Sequence, residues 1–295
     1  MCRLFGFRSA AESGAHASLL EAENALRAQS TKHPDGWGIG WFTDGEAYVV
    51  KSGATAHSCE RFEHASRRLT SETFLVHVRR ATVGVVDHLN AHPFRLGRWL
   101  FAHNGTIFGM DQLGPWLAAR THEGLARLVL GDTDSERLFY YLLTAMANAG
   151  LDHTGRRPSN AAALRSVVRE ALMDLDREAT VLGLERPILN VLLTDGREFL
   201  GHRAGMPLFL STQKLRCSDF DTCQAIKICM EHTRPSSGKV NHMLLASEPI
   251  AISDNVWEEL DDGTTVVLTG DFTMEMQGPP PHWIAPVLPE RYRSA

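Results

Sequence analysis

Cys2 is the residue whose type and position are best suited to nucleophilic chemistry in this sequence. If Met1 is removed, the thiol and a free α-amine belong to the same residue. The amine titrates near pKa ~8 and the thiol near pKa ~8.5, so one residue carries a nucleophile and a base close to neutral pH. The alternative is that Cys2 is a small buried residue in a first strand. Position alone does not decide between the two.

An acyl-transfer site also needs hydrogen-bond donors for the oxyanion that develops during attack. The segment HNGTI, residues 103–107, places Asn104 and Gly105 at the end of an apolar run. The amide of Asn104 and the N–H of Gly105 could form such an oxyanion hole, since a glycine lets the backbone approach a ligand closely. An Asn-Gly pair is also typical of a simple turn.

A substrate with a free amino-acid end, such as glutamine, presents a carboxylate and an ammonium group. Arg79, in HVRRATVG, can donate paired hydrogen bonds to the carboxylate. Asp134, in GDTDSE at a predicted helix start, could accept from the ammonium. Asp132, Thr133 and Asp134 are also residue types that cap helices, and we expect at least one of them to do so.

Other candidate residues favour structural roles. None of the 14 histidines lies in an HExxH pattern or beside paired cysteines, which argues against a metal site. The spacing of a glycine run is interrupted by Trp37 and followed by a predicted strand, so no nucleotide cofactor is indicated. Three cysteines six residues apart fit no common zinc spacing and are expected to be structural. These glycines and cysteines are Gly36, Gly38, Gly40, Cys217, Cys223 and Cys229.

The elements that position these residues are predicted from hydrophobic periodicity. Asp44-Gly45 separates two apolar segments and indicates a β-hairpin. Helices are predicted over 14–30, 133–150 and 159–178. Strands are predicted near the N-terminus and over 73–79, 98–105, 188–196, 199–205, 243–250 and 264–274. Because strands cluster as hairpins around two central helices, the order predicts a layered α+β fold rather than a parallel sheet.

Bulk composition narrows the function classes. The 295 residues are 43% hydrophobic and 22% charged, enough to bury a large core. A net charge of −5 without a basic stripe predicts no nucleic-acid or membrane partner. No secretory signal or long apolar run is present, so we expect a cytoplasmic location and reduced thiols. We predict one domain over 1–277 and a Pro-rich tail over 278–295, either packed on the body or partly disordered.

Six segments in order carry a family resemblance: MCRLFGF, HPDGWGIGW, HVRRATVG, NAHPF, AHNGTI and GDTDSE. Together they resemble the glutaminase domain of class II glutamine amidotransferases, which are N-terminal nucleophile hydrolases. The later segment LLASEPI is similar to stand-alone members, including amidohydrolases of the ergothioneine pathway. The resemblance implies a four-layer αββα sandwich of two antiparallel sheets.

By the same resemblance, Cys2 is the nucleophile and Asn104 and Gly105 form the oxyanion hole. Arg79 binds the substrate carboxylate, Asp134 binds the ammonium, and Thr82 helps to fix the substrate. The sequence departs from the family at Arg80 and Val83, which replace an aromatic residue and a histidine found in many synthase-attached members. That change predicts a different lip of the pocket.

The sequence is compatible with three functions. The first, which we favour, is an amidohydrolase acting on glutamine or another γ-glutamyl amide through a thioester. The second is a glutaminase subunit that delivers ammonia to a separate synthase, because no second catalytic domain is recognisable in the sequence. The third is a binding protein that retains the fold without catalysis, as retention of Met1 would indicate.

Overall fold

Two antiparallel sheets lie face to face in the computed structural model, which describes residues 2–214, 238–251, 255–281 and 283–286. The larger sheet has seven strands in the order β11-β9-β10-β1-β4-β2-β3. Its strands are β1 (Arg3–Gly14), β2 (Trp37–Thr43), β3 (Glu46–Ser52), β4 (Thr70–Val78), β9 (Phe209–Lys214), β10 (His242–Ala246) and β11 (Asn255–Glu259). β1 therefore occupies the centre of this sheet, with β4 on one side and β10 on the other.

The smaller sheet has six strands in the order β13-β12-β8-β7-β6-β5. They are β5 (Phe94–Leu96), β6 (Trp99–Thr106), β7 (Ile188–Thr194), β8 (Phe199–His202), β12 (Thr265–Leu268) and β13 (Met274–Gln277). Neighbouring strands in both sheets are antiparallel throughout the described residues.

Helices cover the outer face of each sheet. The described helices are α1 (Leu26–Gln29), α2 (Glu60–Arg68), α3 (Met110–Arg120), α4 (Glu123–Ala126), α5 (Asp134–Asn148) and α6 (Ala161–Val181), with a π-helical turn at Ala17–Glu21 and a 3₁₀ turn at Ala56–Ser58. α1, α2 and the π-helical turn pack on the larger sheet, and α3, α5 and α6 pack on the smaller one. None of the described helices is long and apolar enough to cross a membrane.

Three hydrophobic clusters follow this layering. Alternate residues of each strand face opposite sides of a sheet, so each sheet contributes one row of apolar side chains to the space between the sheets and one to its helices. Leu4, Leu75, Leu100, Leu192 and Leu245 belong to the buried cluster between the sheets. The prediction of an α+β, four-layer αββα sandwich is confirmed.

Local signals predicted several elements well. The hairpin turns at Asp44 and Gly45, where φ is 51° and 77°, so both residues take the left-handed conformation that such a turn requires. α5 begins after Thr133, whose hydroxyl caps the helix by accepting from the N–H of Glu136. Asn160 caps α6 in the same way.

Two predictions of continuous elements were wrong. The helix predicted over 14–30 is broken, because Ala22 and Ala25 are extended, with ψ of 149° and 156°. The side chain of Asn24 lies in this break, where it donates to Pro249 O at 2.8 Å. The strand predicted over 264–274 is two strands, since a turn around Gly270-Asp271 separates β12 from β13.

The predicted domain boundary at residue 277 stays a prediction. Within the predicted tail, the structure describes residues 278–281 and 283–286, and Trp283 contacts the body of the fold. Its indole N–H donates to Asp262 Oδ1 at 2.6 Å, and Arg186 lies 4.8 Å from its ring centre. Cys217, Cys223 and Cys229 lie outside the described residues.

Candidate active site

Cys2 immediately precedes β1, the central strand of the larger sheet. Arg3 pairs with Val78 in the antiparallel register of β1 and β4, which places Cys2 beside Arg79. The N–H of Arg80 donates to Cys2 Sγ at 3.3 Å. Burial raises the pKa of the Cys2 thiol, and the hydrogen bond from Arg80 and the charge of Arg79 offset part of that rise. The thiol therefore needs a base before it can act as a strong nucleophile near neutral pH.

Arg79 is buried, and its side chain hydrogen-bonds to the loop that follows it. Its guanidinium donates to Val85 O at 2.9 Å and to Val83 O at 2.7 Å. Burial lowers the pKa of Arg79, whereas the Cys2 sulfur in its thiolate form and the charges of Asp35 and Asp134 act in the opposite direction. A guanidinium has five N–H donors, so part of the donor set remains for a ligand after these loop contacts.

Asp134 is the first residue of α5 and is only 4% exposed. Its Oδ2 accepts from the N–H of Ile107 at 2.7 Å, and its Oδ1 accepts from the N–H of Ser135 at 2.8 Å. The cap of α5 is Thr133, not Asp134. Asp134 therefore joins the helix start to the end of β6 and lies close enough to Cys2 to influence its thiol electrostatically.

Asn104 and Gly105 lie near the end of β6. Asn104 alternates with Leu100 and Ala102, which face the other sheet, so its side chain faces the same space. Its Nδ2 lies 3.3 Å from Ser247 Oγ. Gly105 has no room for a side chain, since an added Cβ would lie 1.8 Å from Ile188 O.

Asp35 and Ser247 are two further residues at this end of the sandwich that the sequence interpretation did not name. Asp35 Oδ2 accepts from the N–H of Ala81 at 2.8 Å, and its N–H donates to Arg79 O at 3.0 Å. Ser247 Oγ accepts from the N–H of Leu4 at 2.9 Å. Both lie in segments that carry the family resemblance, HPDGWGIGW and LLASEPI, and that was the available signal.

The structure thus brings Cys2, Arg79, Asn104 and Asp134 to one end of the space between the sheets. Thr82 lies in the loop that follows Arg79, and its side chain is exposed.

Buried histidines lie next to this site. The rings of His77 and His92 are 4.2 Å apart, and burial lowers both pKa values well below the ordinary range, so both are neutral. The Nε2 of His103 lies 2.8 Å from Ile188 O, a pure acceptor, so Nε2 carries the proton. Its Nδ1 then accepts from the hydroxyl of Ser135 at 2.9 Å. No group of three or more His, Cys, Asp or Glu side chains in the described ranges is arranged to hold a metal ion.

Sequence comparison gives relatives for parts of the chain. An uncharacterized protein of Methanocaldococcus jannaschii is 32% identical over 153 residues, which are 49% of this chain and 38% of that protein. The γ-glutamyl-hercynylcysteine sulfoxide hydrolase of Mycobacterium tuberculosis (strain CDC 1551 / Oshkosh) is 34% identical over 117 residues, which are 36% of this chain and 50% of the hydrolase. The chain therefore spans half or less of the length of these two curated relatives.

Comparison with solved structures covers nearly the whole chain. A glutamine aminotransferase class-II domain protein from Silicibacter pomeroyi superposes with a TM-score of 0.64 and 15% identity, over 95% of this chain and 99% of that one. Glutamine phosphoribosylpyrophosphate amidotransferase from B. subtilis superposes with a TM-score of 0.59 and 18% identity, over 94% of this chain and 49% of that one. At these identities the likeness shows a shared fold.

The sequence model of the family "Glutamine amidotransferases class-II" matches residues 1–286. The family predicted from the six ordered segments is confirmed, and with it the prediction that the chain is an enzyme of that group. The chain belongs to the class II glutamine amidotransferase family.

Proposed function

We propose that this protein is an amidohydrolase that cleaves the side-chain amide of glutamine or of a larger γ-glutamyl compound. Cys2 is the nucleophile after removal of Met1, and the reaction passes through a γ-glutamyl thioester. The relative in M. tuberculosis, by name a hydrolase of a γ-glutamyl sulfoxide, supports this substrate class.

The observation that carries the proposal is the position of Cys2 beside Arg79. The β1–β4 register sets these two residues side by side, and the charges of Arg79 and Asp134 both act on the thiol. A glutamyl group bound by its carboxylate to Arg79 and by its ammonium to Asp134 has its side-chain amide as the remaining reactive group. Thr82, on the loop whose carbonyl groups accept from Arg79, helps to fix the substrate.

The mechanism begins with proton transfer from the Cys2 thiol to the free α-amine of the same residue. A water molecule relays the proton, because direct transfer within one residue has poor geometry. The sulfur attacks the δ-carbonyl carbon, and the carbonyl oxygen becomes an oxyanion stabilised by Asn104 and Gly105. The C–N bond breaks, and the ammonium formed from the α-amine returns its proton to the leaving ammonia or amine. Water then hydrolyses the thioester to glutamate and restores the thiol.

Glutamate release from glutamine and from a panel of γ-glutamyl amides tests the proposal. Intact-mass measurement first establishes that Met1 is absent from the purified protein. We expect Cys2→Ala to abolish release. We expect Asn104→Ala to lower kcat by roughly two to three orders of magnitude, the usual cost of one oxyanion donor.

Cys59→Ala is the matched control, since Cys59 is also a free, half-buried cysteine but lies before α2 in a helical layer. Its kcat should equal that of the wild type. Undiminished glutamate release by Cys2→Ala contradicts the proposal. Release that rises only when a synthase is added favours the glutaminase subunit, and a processed, folded chain without release on any amide favours the binding protein.

A further inference from the structure

The hydroxyl of Ser247 connects the strand of the proposed nucleophile to the proposed oxyanion donor. Ser247 follows β10, and it bonds both backbone groups of Leu4. Its Oγ accepts from the N–H of Leu4 at 2.9 Å, and its own N–H donates to Leu4 O at 3.0 Å. The same Oγ lies 3.3 Å from Nδ2 of Asn104. One half-buried side chain therefore touches β1, two residues after Cys2, and the amide of Asn104.

The hydrogen bonds of the Asn104 amide are incomplete in this orientation. Its Nδ2 donates to Ser247 Oγ, and its Oδ1 is buried without a hydrogen-bond partner among the described residues. A buried carbonyl without a donor is unfavourable. Rotation of the amide by about 180° exchanges the two atoms, which have nearly the same size and shape.

The rotated amide pairs its carbonyl oxygen and leaves its NH₂ group for a ligand. Ser247 Oγ still accepts from the N–H of Leu4, and its O–H now donates to Oδ1 of Asn104. Nδ2 takes the place of the unpartnered oxygen, and both of its hydrogens become free for a ligand. A carbonyl oxygen in that place repels a developing oxyanion, whereas an N–H donor stabilises it.

We propose that Ser247 is a positioning residue that fixes the Asn104 amide with its NH₂ group, rather than its carbonyl, facing the oxyanion. This inference rests on the proposed function. Ser247 Oγ accepts from Leu4 in either orientation, because a hydroxyl oxygen has two lone pairs and one hydrogen. In the rotated orientation its hydrogen bonds Oδ1 of Asn104, whereas in the other orientation neither of these two groups has a partner among the described residues. Ser247 thereby favours one of two amide orientations of similar shape.

Kinetics of Ser247→Ala and Ser247→Thr test the inference. We expect Ser247→Ala to lower kcat about tenfold, the equivalent of one neutral hydrogen bond of about 1.4 kcal/mol, with KM within about twofold of the wild type. Ser247→Thr keeps the hydroxyl and should stay within about threefold. In an Asn104→Ala background, Ser247→Ala should cost nothing further, because the donor that it orients is already gone.

Alkylation of Cys2 by iodoacetamide shows whether Ser247→Ala changes only the orientation of the Asn104 amide or also disturbs β1. This displacement forms no oxyanion, so the alkylation rate of Cys2 should be the same in Ser247→Ala and in the wild type. The matched control is Ser71→Ala, since Ser71 also bonds both backbone groups of a residue in a neighbouring strand. Its Oγ accepts from the N–H of Phe42 at 3.1 Å and donates to Phe42 O at 2.8 Å. Ser71 lies at the opposite end of β4 from the site, and its variant should keep the wild-type kcat.

Three results overturn the inference in a protein whose wild type is active. One is an unchanged kcat for Ser247→Ala, and another is a tenfold loss that persists in the Asn104→Ala background. If Ser247→Ala does not fold, Ser247→Cys takes its place, because cysteine keeps the shape but has only a weak S–H donor. A kcat of Ser247→Cys equal to that of Ser247→Thr is then the third result. An inactive wild type contradicts the proposed function instead, so the two failures are distinguishable.

Discussion

Glu198→Gln is predicted to stabilise the protein above neutral pH and to leave it unchanged in acid. Glu198 and Asp195, in the turn between β7 and β8, lie with Arg8 in a buried group of charges. Arg8 belongs to β1 and follows Cys2 by six residues. The guanidinium of Arg8 donates to Thr269 O at 2.8 Å and acts on both carboxylates through its charge. Glu198 Oε2 and Asp195 Oδ2 are both buried without hydrogen-bond partners among the described residues. A neutral amide at position 198 supplies an N–H donor in place of one unpartnered oxygen.

The sign and magnitude follow from the pKa of Glu198. Burial, aided by the charge of Asp195, raises that pKa from its ordinary value of 4.5 to about 7. The raised pKa is a stabilising contribution of the protonated form, fully present below pH ~4.5 and lost as the pH rises through about 7. The full shift is equivalent to about 3 kcal/mol. Solvent at the edge of the cluster reduces it, so we expect about 1–2 kcal/mol at pH 8.

Thermal unfolding between pH 4.5 and 8.5 measures the effect. At pH 8 the Tm of Glu198→Gln should exceed that of the wild type by about 2–5 °C, and the difference should vanish toward pH 4.5. Glu23→Gln, which replaces an exposed carboxylate, is the control and should show no such pH-dependent difference. A Tm difference that is independent of pH, or a variant less stable than the wild type at pH 8, would falsify this reasoning.

Two further predictions concern packing. Gly105→Ala should lose more than about 3 kcal/mol of stability or fail to fold. Its Cβ would lie 1.8 Å from Ile188 O and force β6 away from β7. A melting temperature within about 2 °C of the wild type, equivalent to a loss on the order of 1 kcal/mol, contradicts this prediction. Asp176→Ala should cost about 3 kcal/mol in urea unfolding, because Asp176 holds two nitrogens of the largely buried Arg186, one at 2.7 Å. An unchanged urea midpoint refutes that prediction.

The elements that sequence predicts well are those whose determinants are local. Asp44-Gly45 specifies its hairpin because two adjacent residues must take positive φ, and few residue types do so cheaply. Thr133 marks the start of α5 because its hydroxyl satisfies a helix N–H three residues later. The family resemblance also depends on segments that can be seen one at a time.

The features that sequence does not predict depend on distant contacts. The helix predicted over 14–30 is interrupted where Asn24 bonds Pro249 and Ala251, more than 200 residues away. Ser247 meets Asn104 across 143 residues, and neither local periodicity nor turn chemistry reports such a pairing. The proposed residues Cys2 and Arg79 could be named from sequence, but their adjacency is a matter of strand register.

The central place of β1 in the seven-stranded sheet has a consequence for motion near Cys2. Both edges of Phe5 through Arg8 are paired, with β4 on one side and β10 on the other. Chain ends usually fray, but each of these backbone N–H groups faces either β4 or β10, so its exchange with deuterium requires a ladder at the centre of the sheet to open. We therefore expect their exchange to track global unfolding. Heating should then disrupt the surroundings of Cys2 Sγ and unfold the protein in a single cooperative step.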